Sequence, residues 1–271
     1  MRWPGSGIPG RPVRNPGRRN GTTLNHHPMT SDLLPALALA LAFAPALQAQ
    51  VVLLASWDFE QEPLASSSFS GSTLAPVGPV QGSGAVTGRH EVTSTVWSSP
   101  VGNGSGNSLS ANSWSAGDFF QIQVATAGHQ DVQLSFDQTA SSTGPRDFKL
   151  QYSTDGVSFV DFASYSLLQN STTAGRTTWS SAGTRQGAYA LGFDLSPVSA
   201  VDDQTSVFLR LTSVGGVAAN GGLVASAGSV RLDNLSISAT PVPEPHHYAL
   251  AVGAGLLAFG AFRRRLTLPR P

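Results

Sequence analysis

The stretch Phe148-Lys149-Leu150-Gln151-Tyr152-Ser153-Thr154-Asp155-Gly156-Val157-Ser158-Phe159 alternates apolar and polar residues, breaks at Asp-Gly, and resumes. Period-two alternation gives a strand one buried face and one wet face. Asp-Gly supplies the positive φ that a tight turn between two such strands requires. The segment reads as an antiparallel hairpin. The same alternation recurs on both sides of it: Ala55 to Phe59, Phe120 to Val124, Val132 to Phe136, Val207 to Leu211 and Val230 to Ile237. Strands spaced in this way by Gly, Ser, Asn and Asp predict one antiparallel β-sandwich over 50–240, an all-β domain. Trp57, Phe136, Leu150, Tyr152, Leu209 and Leu232 are expected to face inward. No part of 50–240 keeps a helical period. Residues 62–115, 168–188 and 213–229 read as loops, the first carrying one or two short strands that include Thr95-Val96-Trp97.

Charge excludes one class of function. The whole chain is formally neutral, but nine of its 16 Lys and Arg lie before residue 29 or after residue 262. Within 50–247 seven basic residues face fifteen acidic ones, a net charge of −8. Such a domain does not hold nucleic-acid phosphates by charge. There is no cysteine, so an extracellular form relies on its core rather than on disulfides. About 190 residues suffice for one β domain with a sizeable core.

Both ends point to export. Leu33 to Ala49 is an apolar run ending in small residues, the form of a secretory signal, and 29–49 is expected to be a signal peptide cut after Ala49 or after Ala46. Residues 1–28 read as a start-site artefact, with Met29 the true start, or as a long basic leader. At the other end, Val242-Pro243-Glu244-Pro245 precedes fifteen uncharged residues from Tyr248 to Phe262, then Arg263-Arg264-Arg265. Fifteen residues make a short span against the roughly 20 that a membrane helix needs. The arginines suit the cytoplasmic side.

This three-part tail over 241–265, followed by 266–271, resembles the PEP-CTERM sorting signal of exported bacterial proteins. The resemblance implies export through the Sec machinery and a precursor held in the membrane by a single C-terminal helix. It also implies recognition and cleavage by an exosortase near Pro243-Glu244-Pro245, and a final location at the cell surface or in the extracellular matrix. The stretches Trp114 to Ile122, Leu134 to Gln138, Leu150 to Gly156 and Arg231 to Ile237 resemble jelly-roll domains found ahead of such tails and in carbohydrate-binding modules. These are strand-and-turn signatures, and they carry over no functional residue.

Candidate chemistry is sparse. No nucleophile triad is visible, and His90 and His129 sit in segments that read as loops. Asp58 and Glu60 share a strand face, and Asp202-Asp203 sits in a turn; neither pair has the apolar surroundings that would set one carboxyl apart as an acid. Neighbouring first and last strands would bring Asp58 and Asp233 together, with Asn234 or Glu60 adding oxygens for a calcium ion; solvated strand-end carboxylates are the alternative. Trp97, Trp114 and Trp179 lie in or beside loops, where they would either stack on sugar rings or lid the core. Three functions stay open: a non-enzymatic surface or matrix protein, a carbohydrate-binding module of the extracellular polysaccharide, and a secreted hydrolase. The expectation is the first.

Overall fold

The structure, a computed structural model of the chain, describes residues 50–61, 68–170 and 178–243, together with 253, 255–257, 259–260 and 263. The expected leader, the signal peptide, Glu244, Pro245, Arg264, Arg265 and 266–271 lie outside the described residues.

Fourteen strands follow in order: β1 (Val52–Trp57), β2 (Phe69–Ser70), β3 (Thr73–Val77), β4 (Gln81–Gly82), β5 (Ala85–Arg89), β6 (Val96–Ser98) and β7 (Leu109–Ala111) in the first half. The second half holds β8 (Phe119–Val124), β9 (His129–Ala140), β10 (Asp147–Ser153), β11 (Val160–Ser166), β12 (Ala190–Asp194), β13 (Val207–Ser213) and β14 (Val230–Pro241). They form two antiparallel sheets. An eight-stranded sheet runs β12-β9-β14-β7-β6-β2, with β1 also on β14 and β4 on β1; a six-stranded sheet runs β11-β10-β13-β8-β5-β3. The all-β, two-sheet architecture is the one that the alternation predicts.

One hydrophobic cluster joins the sheets. Trp57, Leu134, Phe136, Leu232 and Ile237 of the larger sheet meet Phe120, Ile122, Phe148, Leu150, Leu209 and Leu211 of the smaller. All six residues expected inward pack in or against this core, with Tyr152 only partly buried. First and last strands are neighbours: β1 pairs with β14 from Val52↔Ala239 to Trp57↔Leu235.

Two expectations need correction. Residues 62–115 hold six short strands, not one or two. Strands of two to five residues built from Gly, Ser and Thr show too little alternation to be seen, and cross-strand pairing defines them instead. The hairpin turn is also longer than the tight turn expected of Asp-Gly. Tyr152 pairs with Val160, and residues 153–159 bridge them. Gly156 does take a positive φ of 73°. The Asp155 carboxylate accepts from the backbone N–H groups of Val157 and Ser158, both at 2.8 Å, and this winds the loop.

Tight packing appears where β5 passes beneath Trp97. A Cβ on Gly88 would overlap the Trp97 ring, which is fully buried and whose Nε1 donates to the Gly71 carbonyl at 2.8 Å. Gly88→Ala should therefore lower stability by about 1–3 kcal/mol, the usual cost of overpacking a core. Urea unfolding checks this: the midpoint should fall with the slope unchanged. An unmoved midpoint would mean that the ring has room to shift.

Candidate binding face

Alternation along β8, β13 and β10 sends Phe120, Ile122, Leu209, Leu211, Phe148 and Leu150 into the core. It therefore sends Phe119, Gln121, Arg210, Thr212, Lys149 and Gln151 to the opposite, outer face of the six-stranded sheet. Register lines these residues up. Thr87, Gln121, Arg210, Gln151 and Asp161 form one row across β5, β8, β13, β10 and β11; Arg89, Phe119, Thr212, Lys149 and Ser164 form the next. An open concavity of about 570 Å³ lies over this area, lined by Phe119, Lys149, Gln151, Arg210 and Thr212 among others.

The band is a connected polar network. Thr212 Oγ1 donates to Gln151 Oε1 (2.8 Å), and Gln151 Nε2 donates to Asp161 (2.6 Å). Lys149 pairs with Asp161 at 3.1 Å, and this holds the carboxyl of Asp161 below the usual range. Arg210 Nε donates to Gln121 Oε1 (2.8 Å). The guanidinium carbon of Arg210 lies 3.9 Å from the Phe119 ring centre and 3.5 Å from that of Phe159. Two aromatic faces thus fix the Arg210 plane by cation–π contact. Burial, and second the nearby Arg89, push the Arg210 pKa down. Amides, a hydroxyl, a guanidinium and aromatic edges in a fixed array can orient a polyhydroxylated ligand.

The residues singled out from sequence lie elsewhere. Asp233 and Asp137 are direct cross-strand partners on β14 and β9, and both are fully buried. Like charges placed so repel, and donors surround them. Arg185 makes a bidentate pair with Asp137 through Nε (2.7 Å) and Nη2 (2.6 Å). Asn103 Nδ2 and Asn234 Nδ2 each donate to Asp137 at 2.9 Å. Asp233 accepts from the Asn103 N–H (2.7 Å), Ser105 Oγ (2.6 Å) and the Asn234 N–H (2.8 Å). Burial still pushes the Asp233 carboxyl up to about 6. Asn234 sits at φ 47°, at the irregularity between Asp233 and Ser236.

Among the described residues Asp58 shares no hydrogen-bond partner with Asp233; it accepts from the Glu60 N–H at 3.1 Å. Glu60 instead holds Asn107, through its N–H at 2.7 Å and its side-chain amide at 3.0 Å. Glu60 and Asp233 therefore clamp the two ends of one loop, 103–107. Among the described residues no group of three or more His, Cys, Asp and Glu is placed to hold a metal.

The three tryptophans offer no face to a sugar. Trp97, Trp114 and Trp179 are 0%, 5% and 2% exposed, with Nε1 donating to Gly71, Ala111 and Val101 carbonyls respectively. Flanking Gly and Ser make these segments look like open loops, but Trp97 and Trp114 pack in the core, and Trp179 lies edge-on to Tyr189 at 5.4 Å. His90 is likewise not a solvated loop residue. It is 2% exposed, lies 4.8 Å from Trp97 and 4.2 Å from Trp114 between ring centres, and burial lowers its pKa to about 4. Sequence reasoning missed Phe119, Gln121, Phe159 and Arg210. Their signal was present, since alternation makes 119, 121 and 210 outward positions.

Of the tail, Val242 and Pro243 follow β14 directly, and the described residues from Gly253 to Arg263 are helical, with Leu256, Leu257 and Phe259 exposed. Among the described residues no helix is long and apolar enough to cross a membrane.

No family model and no curated protein sequence matches the chain. It is similar in structure to the K3 adhesin domain of Lys-gingipain from Porphyromonas gingivalis, at 12% identity and a TM-score of 0.37, covering 69% of this chain and 98% of that one. The K1 adhesin domain of the same protein gives 14% identity and a TM-score of 0.37, over 70% and 99%. TmCBM27, a carbohydrate-binding module studied for specific mannan recognition, gives 11% identity and a TM-score of 0.35, over 70% and 99%. At these scores the likeness carries no functional argument, and function rests on the site.

Proposed function

We propose that the chain is a non-enzymatic exported protein whose jelly-roll-like sandwich binds polysaccharide on the outer face of its six-stranded sheet. One observation carries this reading: the double row of amide, hydroxyl and charged side chains, framed by Phe119 and Phe159, over an open concavity. Sugar hydroxyls both donate and accept, and they bind best where side chains of both kinds are already oriented. A hydrolase needs a carboxyl pair with room for substrate or water between. The buried pair at Asp137 and Asp233 is closed instead by Arg185, Asn103 and Asn234. The test is a glycan array probed with the exported chain. Retention on a set of polysaccharides, lost with Gln121→Ala and Gln151→Ala together, supports the reading; no retention on any glycan overturns it.

The sorting route is part of the same proposal. A Pro-Glu-Pro motif, a short apolar helix and an arginine cluster fit an exosortase substrate, anchored before processing by the tail and released to the surface or matrix afterwards. Changing Pro243, Glu244 and Pro245 all to Ala should leave the tail uncut. In a host with the sorting enzyme, the surface product should then be heavier by the mass of the tail. Equal masses for the triple variant and the native chain would overturn this route.

A further inference from the structure

The basic residues of this acidic domain are not spread evenly. Arg146 pairs with Asp147, Lys149 with Asp161 and Arg185 with Asp137. Arg89, Arg210 and Arg231 form no ion pair among the described residues, and the first two lie on the same face of the six-stranded sheet. Arg89 is the cross-strand partner of Phe119, whose ring Arg210 covers from the other side of the β8 strand. Arg89 is near enough to disfavour the charge of Arg210, second to burial.

Arg210 is held rigidly and left open. Its Nε is engaged with Gln121, and its plane is fixed against Phe119 and Phe159, but its two terminal nitrogens have no partner among the described residues. The amide nitrogen of Gln121 is also unengaged there. Like charges on one face, with donors left unengaged, describe a receptor for an oxyanion, and a guanidinium fork fits a carboxylate or a phosphate bidentately.

From this geometry we infer that the face selects a uronate-bearing polysaccharide, whose carboxylate meets the terminal nitrogens of Arg210 with Arg89 alongside, while its hydroxyls engage Gln121 and Gln151. The inference rests on the polysaccharide-binding reading and adds the charge of the ligand. The net charge of −8 over 50–247 excludes dense polyanions by repulsion. DNA, with a charge about every 1.7 Å along its axis, is disfavoured; a chain with one carboxylate per sugar meets two local cations at lower cost. Neutral amides and hydroxyls beside the arginines favour a ligand that is mostly polyol.

The test uses the exported chain and three immobilised probes: polygalacturonate, the same polymer with its carboxyls reduced to alcohols, and dextran sulfate. Polygalacturonate should bind at least about tenfold more tightly than its reduced form, the scale of one charge-assisted fork. Arg210→Gln and Arg89→Gln should each remove most of that difference. Arg210→Lys, which keeps the charge but loses the fork, should restore only part of it. Thermal unfolding of each variant checks that the sandwich is intact. Equal binding to both forms of the polymer would overturn the carboxylate inference and leave the polysaccharide-binding reading standing. Absence of binding to every glycan would overturn that reading itself. Equal or tighter binding to dextran sulfate would show unselective anion capture and would also overturn the inference.

Discussion

Trp114→Ala and Trp97→Ala should each cost the domain about 3–5 kcal/mol, the range for deleting a large buried aromatic. The two rings are not decoration on a binding surface. Trp114 stands at the centre of an aromatic chain, 5.1 Å from Phe120 and 5.5 Å from Phe148, edge-on to both. Trp97 lies 6.1 Å from Phe120, and His90 leans on both tryptophans. Removing Trp114 opens a cavity against His90, Phe120 and Phe148, and removing Trp97 opens one against His90 and Phe120; each leaves a carbonyl, of Ala111 or Gly71 respectively, without its indole donor. Chemical denaturation measures the loss. If either variant were as stable as the parent while losing glycan binding, the rings would belong to a site and not to the core.

The second large effect is on the response to acid, where two buried groups oppose each other. His90 is held near 4, below its ordinary 6.5, so the unfolded chain takes up its proton first. Its contribution is complete above pH 6.5 and is lost as pH falls from 6.5 to about 4. Asp233 is held near 6, above its ordinary 3.8, so the folded chain takes up that proton first. Its burial as an anion weakens the fold above pH 6, and that penalty is relieved as pH falls to 3.8. Each displacement amounts to about 3 kcal/mol at its limit. The two contributions oppose each other between pH 6 and 4. Asp233→Asn should therefore unmask a steep acid loss, about 3 kcal/mol between pH 6.5 and 4. His90→Gln should do the reverse and gain stability on acidification. The slope of unfolding free energy against pH is the readout, because both substitutions also disturb local hydrogen bonds. Parallel slopes for parent and Asp233→Asn would overturn this account.

The sequence shows the sandwich because β9, β10, β13 and β14 each carry enough alternating residues to mark their inner face. It does not show β2 to β5 in the same way: Gln81-Gly82 and Thr73 to Val77 have no alternation to read, and their partners set their place. The clamp at Asp137 and Asp233 was hidden for a different reason. Its members come from 103, 137, 185 and 233, and nothing local distinguishes Asn103 or Arg185 from a solvated loop residue. The binding face was half legible. Gln121, Lys149 and Arg210 are outward by period, but only the pairing of β8 with β13 and β13 with β10 makes them one surface.

The route of the chain out of the domain has a mechanical consequence. β14 is bonded along one edge to β9 and along the other to β7 and β1, and the tail begins at its last residues. A pull on the chain from its C-terminal side would run along the axis of β14. The hydrogen bonds on both edges lie across that pull, so they share the load in shear and must yield together rather than open one after another like a zip. The strand that leads out of the domain on that side is thus not easily drawn from the fold.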